Sequence, residues 1–417
     1  MPAGNPLSRR HFACLVGAGG AAALLAPLVA ARGGEERLAL RAGADPEPAK
    51  LLPKDPANLI LLNSNENPYG PSPRALEAMT EAHSVAMRYP DFWADQLQDK
   101  LAAFHGVDTE MVVVTCGSTE LLKLAAQAFL GPGRRLVVAE PTFEAVVYYG
   151  RQTGAEVVKV PLTADYRHDL EAMARAARAR PGLIYLCNPN NPTGTLNPER
   201  EVEAFLADVP RDSVVLADEA YFHYVEDPGY GTVLPRVQAG ENIVLARTFS
   251  KIYGLAGLRL GYGIAPRGLM QQMRPHQVLV SWNVIACAAA LATLDDADWV
   301  TLNRKRNRET RDYLVEEMAR RGRASIPSHT NFVCVHVGRP VRPVIAAFRE
   351  HGLSVGRPFT GLPQHIRVSL GSSEEMEKFV AAFDKVLARA RQRGAELAGR
   401  EPQERRLPGA APLWARN

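Results

Sequence analysis

An acid and a tyrosine three positions apart, Asp218 and Tyr221, close an apolar run that reads Ser213-Val214-Val215-Leu216-Ala217. A lysine, Lys251, follows a second such run, Ile243 to Ala246, within Thr248-Phe249-Ser250-Lys251. Alone, an aspartate after a strand serves equally well as a helix cap, and a lysine as a snorkelling surface residue. At the end of a buried strand, however, a lysine is costly as a cation, and a desolvated neutral amine is a nucleophile toward carbonyl carbon. A third stretch, Asn188-Pro189-Asn190-Asn191-Pro192-Thr193-Gly194, has the composition of a turn and also fixes side-chain amides rigidly at a strand end. A fourth, Cys116-Gly117-Ser118-Thr119-Glu120, joins the run 111–115 to a helical pattern. The first turn of a helix offers free N–H groups to an anion, here flanked by hydroxyls. The four stretches follow one another in chain order, each at the end of an apolar strand, and in open α/β sheets ligands bind outside those ends.

These groups need a sheet to carry them. From about 95 to 320, β-rich apolar runs recur at 111–115, 135–139, 155–160, 183–187, 213–217, 242–246 and 260–264, several separated by helical stretches such as 119–130 and 198–208. Continuous apolar strands between helices predict an α/β fold with a mostly parallel sheet covered on both faces. After a charged stretch of helical periodicity at 300–322, a smaller β/α unit follows: strand 331–337, helix 340–351, strands near 353–356 and 365–370, and helix 373–392. That unit is too small to stand alone and is expected to join residues 58–80 in a second lobe. The 417 residues and 46% hydrophobic content supply a large core and exclude collagen, coiled coil and wholesale disorder. The formal charge of +4 is small, and Arg9, Arg10 and Arg32, with no acid among residues 1–32, carry most of it, so nucleic acid is not an expected partner. The five cysteines (14, 116, 187, 287, 334) lie without CxxC or Cys/His metal spacing, so buried thiols are expected, with no metal and no disulfide framework.

A phosphate cradle, a rigid amide, an acid and a buried amine on one sheet edge point to pyridoxal phosphate. The sequence resembles the fold-type I, class I/II aminotransferases, and within them the histidinol-phosphate aminotransferase branch. The resemblance rests on Leu62-Asn63-Ser64-Asn65-Glu66-Asn67-Pro68-Tyr69-Gly70, Arg88-Tyr89-Pro90-Asp91, Gly117-Ser118-Thr119-Glu120, Pro141-Thr142-Phe143, Asn191-Pro192-Thr193-Gly194, Asp218-Glu219-Ala220-Tyr221, Ser250-Lys251 with Arg259, and Ile366-Arg367-Val368-Ser369. It implies a large domain with a seven-stranded sheet, a small α/β domain and a homodimer. It implies further that Lys251 holds the cofactor as an internal aldimine and carries protons, that Asp218 pairs with the pyridine nitrogen, and that Tyr221 and Asn191 bond the ring's O3′. By the same resemblance Gly117, Ser118, Thr119, Ser250 and Arg259 bind the phosphate, Phe143 stacks on the ring, and Tyr89 reaches the neighbouring subunit's cofactor phosphate. Arg367 would fork the substrate carboxylate with Asn65 beside it, and Arg357 aligns with a position that contacts substrate phosphate in phosphate-handling members. The implied reaction is a ping-pong amino transfer between an amino acid, or a histidinol-phosphate-like amine, and a 2-oxo acid. A decarboxylase of the threonine-phosphate type on the same scaffold is the alternative, since it uses the same lysine, acid, tyrosine and arginines.

The N-terminus reads as an address. Ser8-Arg9-Arg10-His11-Phe12 precedes an uncharged, Ala/Gly-rich stretch to Ala31 with small-residue cleavage options near Leu28-Val29-Ala30. The paired arginines resemble a twin-arginine signal, which predicts engagement of that export machinery and a periplasmic location. A retained membrane anchor and a cytoplasmic chain are the alternatives. The domain reading is a signal segment at 1–32, a linker at 33–57, an N-terminal arm at 58–94 shared between the small domain and the dimer interface, a large cofactor-binding domain at 95–320, a small domain at 321–392 and a disordered tail at 393–417. An exported chain would meet free amino acids rather than a phosphorylated cytoplasmic intermediate, so aromatic, basic and other amino acids are candidate donors.

Overall fold

The computed structural model describes residues 59–398, with side chains described to 387. The segments read as signal and linker, and everything beyond Ala398, lie outside the described residues. In chain order the elements are β1 (Ile60–Leu62), α1 (Pro73–Ala82), α2 (Asp91–His105), β2 (Val112–Thr115), α3 (Gly117–Phe129), β3 (Arg135–Glu140), α4 (Ala145–Gln152), β4 (Glu156–Pro161), α5 (Leu170–Ala177) and β5 (Gly182–Cys187). They continue with α6 (Glu199–Asp208), β6 (Val214–Asp218), α7 (Leu234–Gln238), β7 (Ile243–Thr248), β8 (Gly261–Ile264), α8 (Arg267–Met273), α9 (Val284–Leu294) and α10 (Ala297–Arg320). The last are β9 (Phe332–His336), α11 (Val341–Glu350), β10 (Leu353–Val355), β11 (His365–Ser369) and α12 (Ser373–Ala398).

Seven strands form one sheet in the order β2-β8-β7-β6-β5-β3-β4. All neighbours are parallel except β8, which runs antiparallel to β7 and to β2. Side chains alternate between the two faces of a strand, and here each face has its own buried cluster. Ile184, Leu186, Val215 and Ala217 belong to one, and Leu183, Tyr185, Val214 and Leu216 to the other. A strand covered on both sides has no polar face, which is why these segments read as unbroken apolar runs.

The structure lengthens two elements beyond the sequence expectation. Strand β7 continues past Ala246 through Arg247 and Thr248, because Arg247 is buried against Glu219 at 2.7 Å and thus admits a charged residue to the sheet. Helix α12 runs to Ala398, so residues 393–398 of the expected tail are helical; Ala395, Glu396, Leu397 and Ala398 are strong helix formers that outweigh Gly394.

The second lobe draws on both ends of the chain. β1 pairs in parallel with β10, Leu62 opposite Val355, and β9 pairs antiparallel with β11. Leu62 shares a core with Val335, Phe348, Val368, Phe379 and Phe383, and with Leu314 and Met318 from the end of α10. The arm 58–94 is therefore divided. Its strand joins the small lobe, whereas Ala75 of α1 and Ala94 of α2 pack into the core of the large sheet.

Candidate active site

The C-terminal ends of β2, β5, β6 and β7 lie along one edge of the sheet. Lys251 stands three residues beyond β7, and its Nζ donates to the backbone carbonyls of Asn65 at 3.1 Å and Ser64 at 3.4 Å. Burial, aided by the nearby charges of Arg367 and Arg259, brings this amine down from the usual lysine range to about 8. Asp218 ends β6 and is buried. Its Oδ2 accepts from the Tyr185 hydroxyl at 2.8 Å and its Oδ1 from the Ala220 N–H at 3.1 Å. Burial raises its carboxyl above the ordinary range, opposed by those two hydrogen bonds and by the charge of Lys251.

The loop after β1 closes over this edge. Asn65, at a φ of 55°, donates from Nδ2 to the Tyr221 hydroxyl at 2.9 Å. Its backbone N–H donates to Ser369 Oγ at 2.8 Å, and the Ser369 hydroxyl donates back to Asn65 Oδ1 at 3.0 Å. Left-handed backbone in a non-glycine residue persists only where its surroundings over-determine it, and these contacts do so. Arg367 on β11 is buried, donating from Nη1 to Asn191 Oδ1 at 2.6 Å and from Nη2 to the Asn63 carbonyl at 2.7 Å. Both acceptors are neutral, and among the described residues its Nε has no hydrogen-bond partner. The guanidinium thus keeps its charge and spare donor capacity, as a site for a carboxylate requires.

The start of helix α3 could hold an anion. Its N-cap, Cys116, makes no side-chain capping bond. The Cys116 N–H is taken instead by Glu120 Oε2 at 2.5 Å, which also accepts from Ser281 at 2.6 Å. The N–H groups of the first turn, around Ser118 and Thr119, are left to face an outside anion. Gly117 sits at a φ of 70°, and a Cβ there would lie 2.4 Å from Arg259 Nη2. Only glycine admits the guanidinium so close to this helix start. Arg259, itself left-handed at 55°, donates to the Ala256 carbonyl at 2.9 Å and to Ser250 Oγ at 3.4 Å.

Lys251, Asp218, Tyr221, Asn191, Asn65 and Arg367 are thus brought together, and the start of α3 at Gly117, followed by Ser118 and Thr119, lies against Arg259, which reaches Ser250. Phe143 lines an adjoining cleft of about 830 Å³ with Thr119 and Arg357. Tyr89 is not brought to this site within one chain; it is 81% exposed. Sequence reasoning missed Tyr185, Ser369 and Asn331, whose Nδ2 donates to the Asn65 carbonyl at 2.9 Å. It also missed the ion pair of Glu219 and Arg247 beneath the site. Tyr185 had a legible signal, since a tyrosine inside a doubly covered strand must find a partner for its hydroxyl.

The model of the family "Aminotransferase class I and II" matches residues 57–383. A histidinol-phosphate aminotransferase of Symbiobacterium thermophilum is 42% identical over 79% of this chain and 91% of its own length. The chain belongs to the class I and II aminotransferases. A second histidinol-phosphate aminotransferase, from Moorella thermoacetica, is 39% identical over 79% of this chain and 86% of its own length. Among solved structures, histidinol-phosphate aminotransferase from Sinorhizobium meliloti in complex with pyridoxal-5′-phosphate superposes with a TM-score of 0.74 at 29% identity, covering 79% of this chain and 90% of that one. This aminotransferase uses pyridoxal 5′-phosphate, and the relatives favour amino transfer over the decarboxylase alternative.

The residues present fit that cofactor. The uncapped start of α3 and the space kept open by Gly117 suit a phosphate. The buried Asp218 carboxylate suits a protonated pyridine nitrogen, and the depressed Lys251 amine suits a carbonyl carbon.

Proposed function

We propose that this aminotransferase moves an amino group between an amino acid, or a histidinol-phosphate-like amine, and a 2-oxo acid in two half-reactions at the edge formed by β2, β5, β6 and β7. Pyridoxal phosphate supplies the electron sink. Lys251 holds it and afterwards takes and returns the substrate's Cα proton at Nζ. Asp218 keeps the pyridine nitrogen protonated, Tyr221 and Asn191 face the ring oxygen, Phe143 covers the ring, and the start of α3 with Ser250 and Arg259 grips the phosphate. Arg367 forks the substrate carboxylate, with Asn65 beside it, and Arg357 stands where a substrate phosphate would be met.

The observation that carries this reading is Arg367. A buried guanidinium whose hydrogen-bond partners are both neutral, set beside the amine of Lys251, is arranged for an anionic substrate rather than for the fold. Arg367→Ala should raise KM for every α-amino donor by about 10²-fold, the scale of a lost bidentate charge-assisted contact, while kcat falls less. Steady-state kinetics with several donors check this, and an unchanged KM would remove Arg367 from the carboxylate role.

The active unit is proposed to be a homodimer in which Tyr89 serves the neighbouring site. Exposed apolar side chains at Met87, Tyr89, Phe92, Val278 and Leu279 support that reading. We also propose export through the Arg9-Arg10 signal; the family match begins at residue 57, beyond that segment. Changing Arg9-Arg10 to Lys-Lys should leave the chain in the cytoplasm, as cell fractionation would show, and periplasmic protein of undiminished amount would reject the signal.

A further inference from the structure

We propose that Glu144 is a specificity-determining residue that holds Arg357 and so weights this aminotransferase toward donors with a single carboxylate and against phosphorylated ones. The inference rests on the proposed reading of Arg367.

Two guanidinium groups of the small lobe lie against the buried ring of Phe359. Arg367 lies 4.9 Å from that ring's centroid and Arg357 lies 4.5 Å from it. Their partners differ in charge. Arg367 bonds an amide oxygen and a backbone carbonyl, both neutral. Arg357 donates from Nη2 to Glu144 Oε2 at 2.7 Å, so one cation is free and the other is neutralised.

Glu144 immediately precedes α4 on the large lobe, and Arg357 lies in the loop after β10 on the small lobe. Their side chains are 60% and 54% exposed, which marks a weak, displaceable surface pair rather than a structural one. Both line the cleft that also holds Thr119 and Phe143.

A donor with one carboxylate uses Arg367 and leaves the Glu144–Arg357 pair intact. A donor that ends in a phosphate dianion gains from the second guanidinium only by expelling Glu144, whose carboxylate then stands beside the incoming anion. Discrimination by an unfavourable charge against the wrong partner is how specificity is set between ligands of similar shape.

L-Histidine and L-histidinol phosphate share one imidazole skeleton and differ in carrying a carboxylate or a phosphate. The test measures kcat/KM for both with the loaded native enzyme, Glu144→Gln, Arg357→Gln and the double variant. Glu144→Gln should raise the ratio of phosphate to carboxylate donor about fivefold, the scale of an exposed charge pair. The gain should shrink in high salt and vanish in the double variant with Arg357→Gln. A ratio unchanged by Glu144→Gln, or phosphate-donor turnover still absent in Glu144→Gln while histidine is turned over, overturns the inference alone. Turnover of neither donor overturns it together with the reading of the substrate site.

Discussion

Replacing Lys251 by alanine is expected to lower transamination by at least ~10⁴-fold, because in the proposed mechanism one side chain is both the covalent hold on the cofactor and the proton carrier. The visible absorbance of the loaded protein should be lost with it. The fold should survive. Among the described residues Lys251 Nζ donates to the carbonyls of Ser64 and Asn65, and the latter keeps its second donor, Asn331 Nδ2, at 2.9 Å. An unchanged circular dichroism spectrum with no turnover is the expected pair of results, and retained turnover would refute the assignment. The native apoprotein provides a control through pH. Only the neutral amine attacks a carbonyl, and burial brings this amine to about 8. At pH 7 about a tenth of it is neutral, against less than about a thousandth for an ordinary lysine. Uptake of pyridoxal phosphate should therefore accelerate as pH rises and level off above about 8.

Asp218→Asn should lower kcat by about 10³-fold, the scale set by removal of one preorganised electrostatic partner from a buried site, and should weaken cofactor binding as well. The substitution keeps volume, its one amide oxygen can still accept from the Ala220 N–H, and its NH2 can donate to the Tyr185 oxygen in place of the bond that hydroxyl now donates. What it removes is the negative charge. In the native protein burial raises this carboxyl, and the Tyr185 hydroxyl, the Ala220 N–H and the charge of Lys251 pull against that rise to keep an anion available. Titration of apoprotein with pyridoxal phosphate, read by absorbance, separates the binding loss from the rate loss. Native kcat in Asp218→Asn would show that the carboxylate does not support the pyridine nitrogen.

The large sheet was legible because every one of its strands but the β4 edge is covered on both faces, so the apolar runs stand out without any alternation to decode. The cofactor-side residues were legible for a related reason. They sit at strand ends, where the run stops and the chemistry begins. Contacts that join distant parts of the chain were not legible. Asn65 and Ser369 bond each other across 304 positions, and nothing local in Asn-Glu-Asn-Pro or Arg-Val-Ser announces the partner. Arg247 looked like the end of a strand because a charge interrupts an apolar pattern; its partner Glu219 lies on the neighbouring strand's exit. Tyr89 was assigned to a site that one chain alone does not bring it to, and its exposure accords with a role that needs a second copy. Nothing local to Glu144 announces its partner, because Arg357 reaches it from the small-lobe loop 213 positions on.

The central claim is that Lys251, Asp218 and Arg367 together make this chain an amino-transferring enzyme. The most direct measurement mixes the loaded protein with an amino donor and no acceptor. One equivalent of 2-oxo acid per protomer is expected, then a stop, with release resuming only when a second 2-oxo acid is added. Continuous product release without acceptor, or evolution of carbon dioxide from the donor, would contradict it.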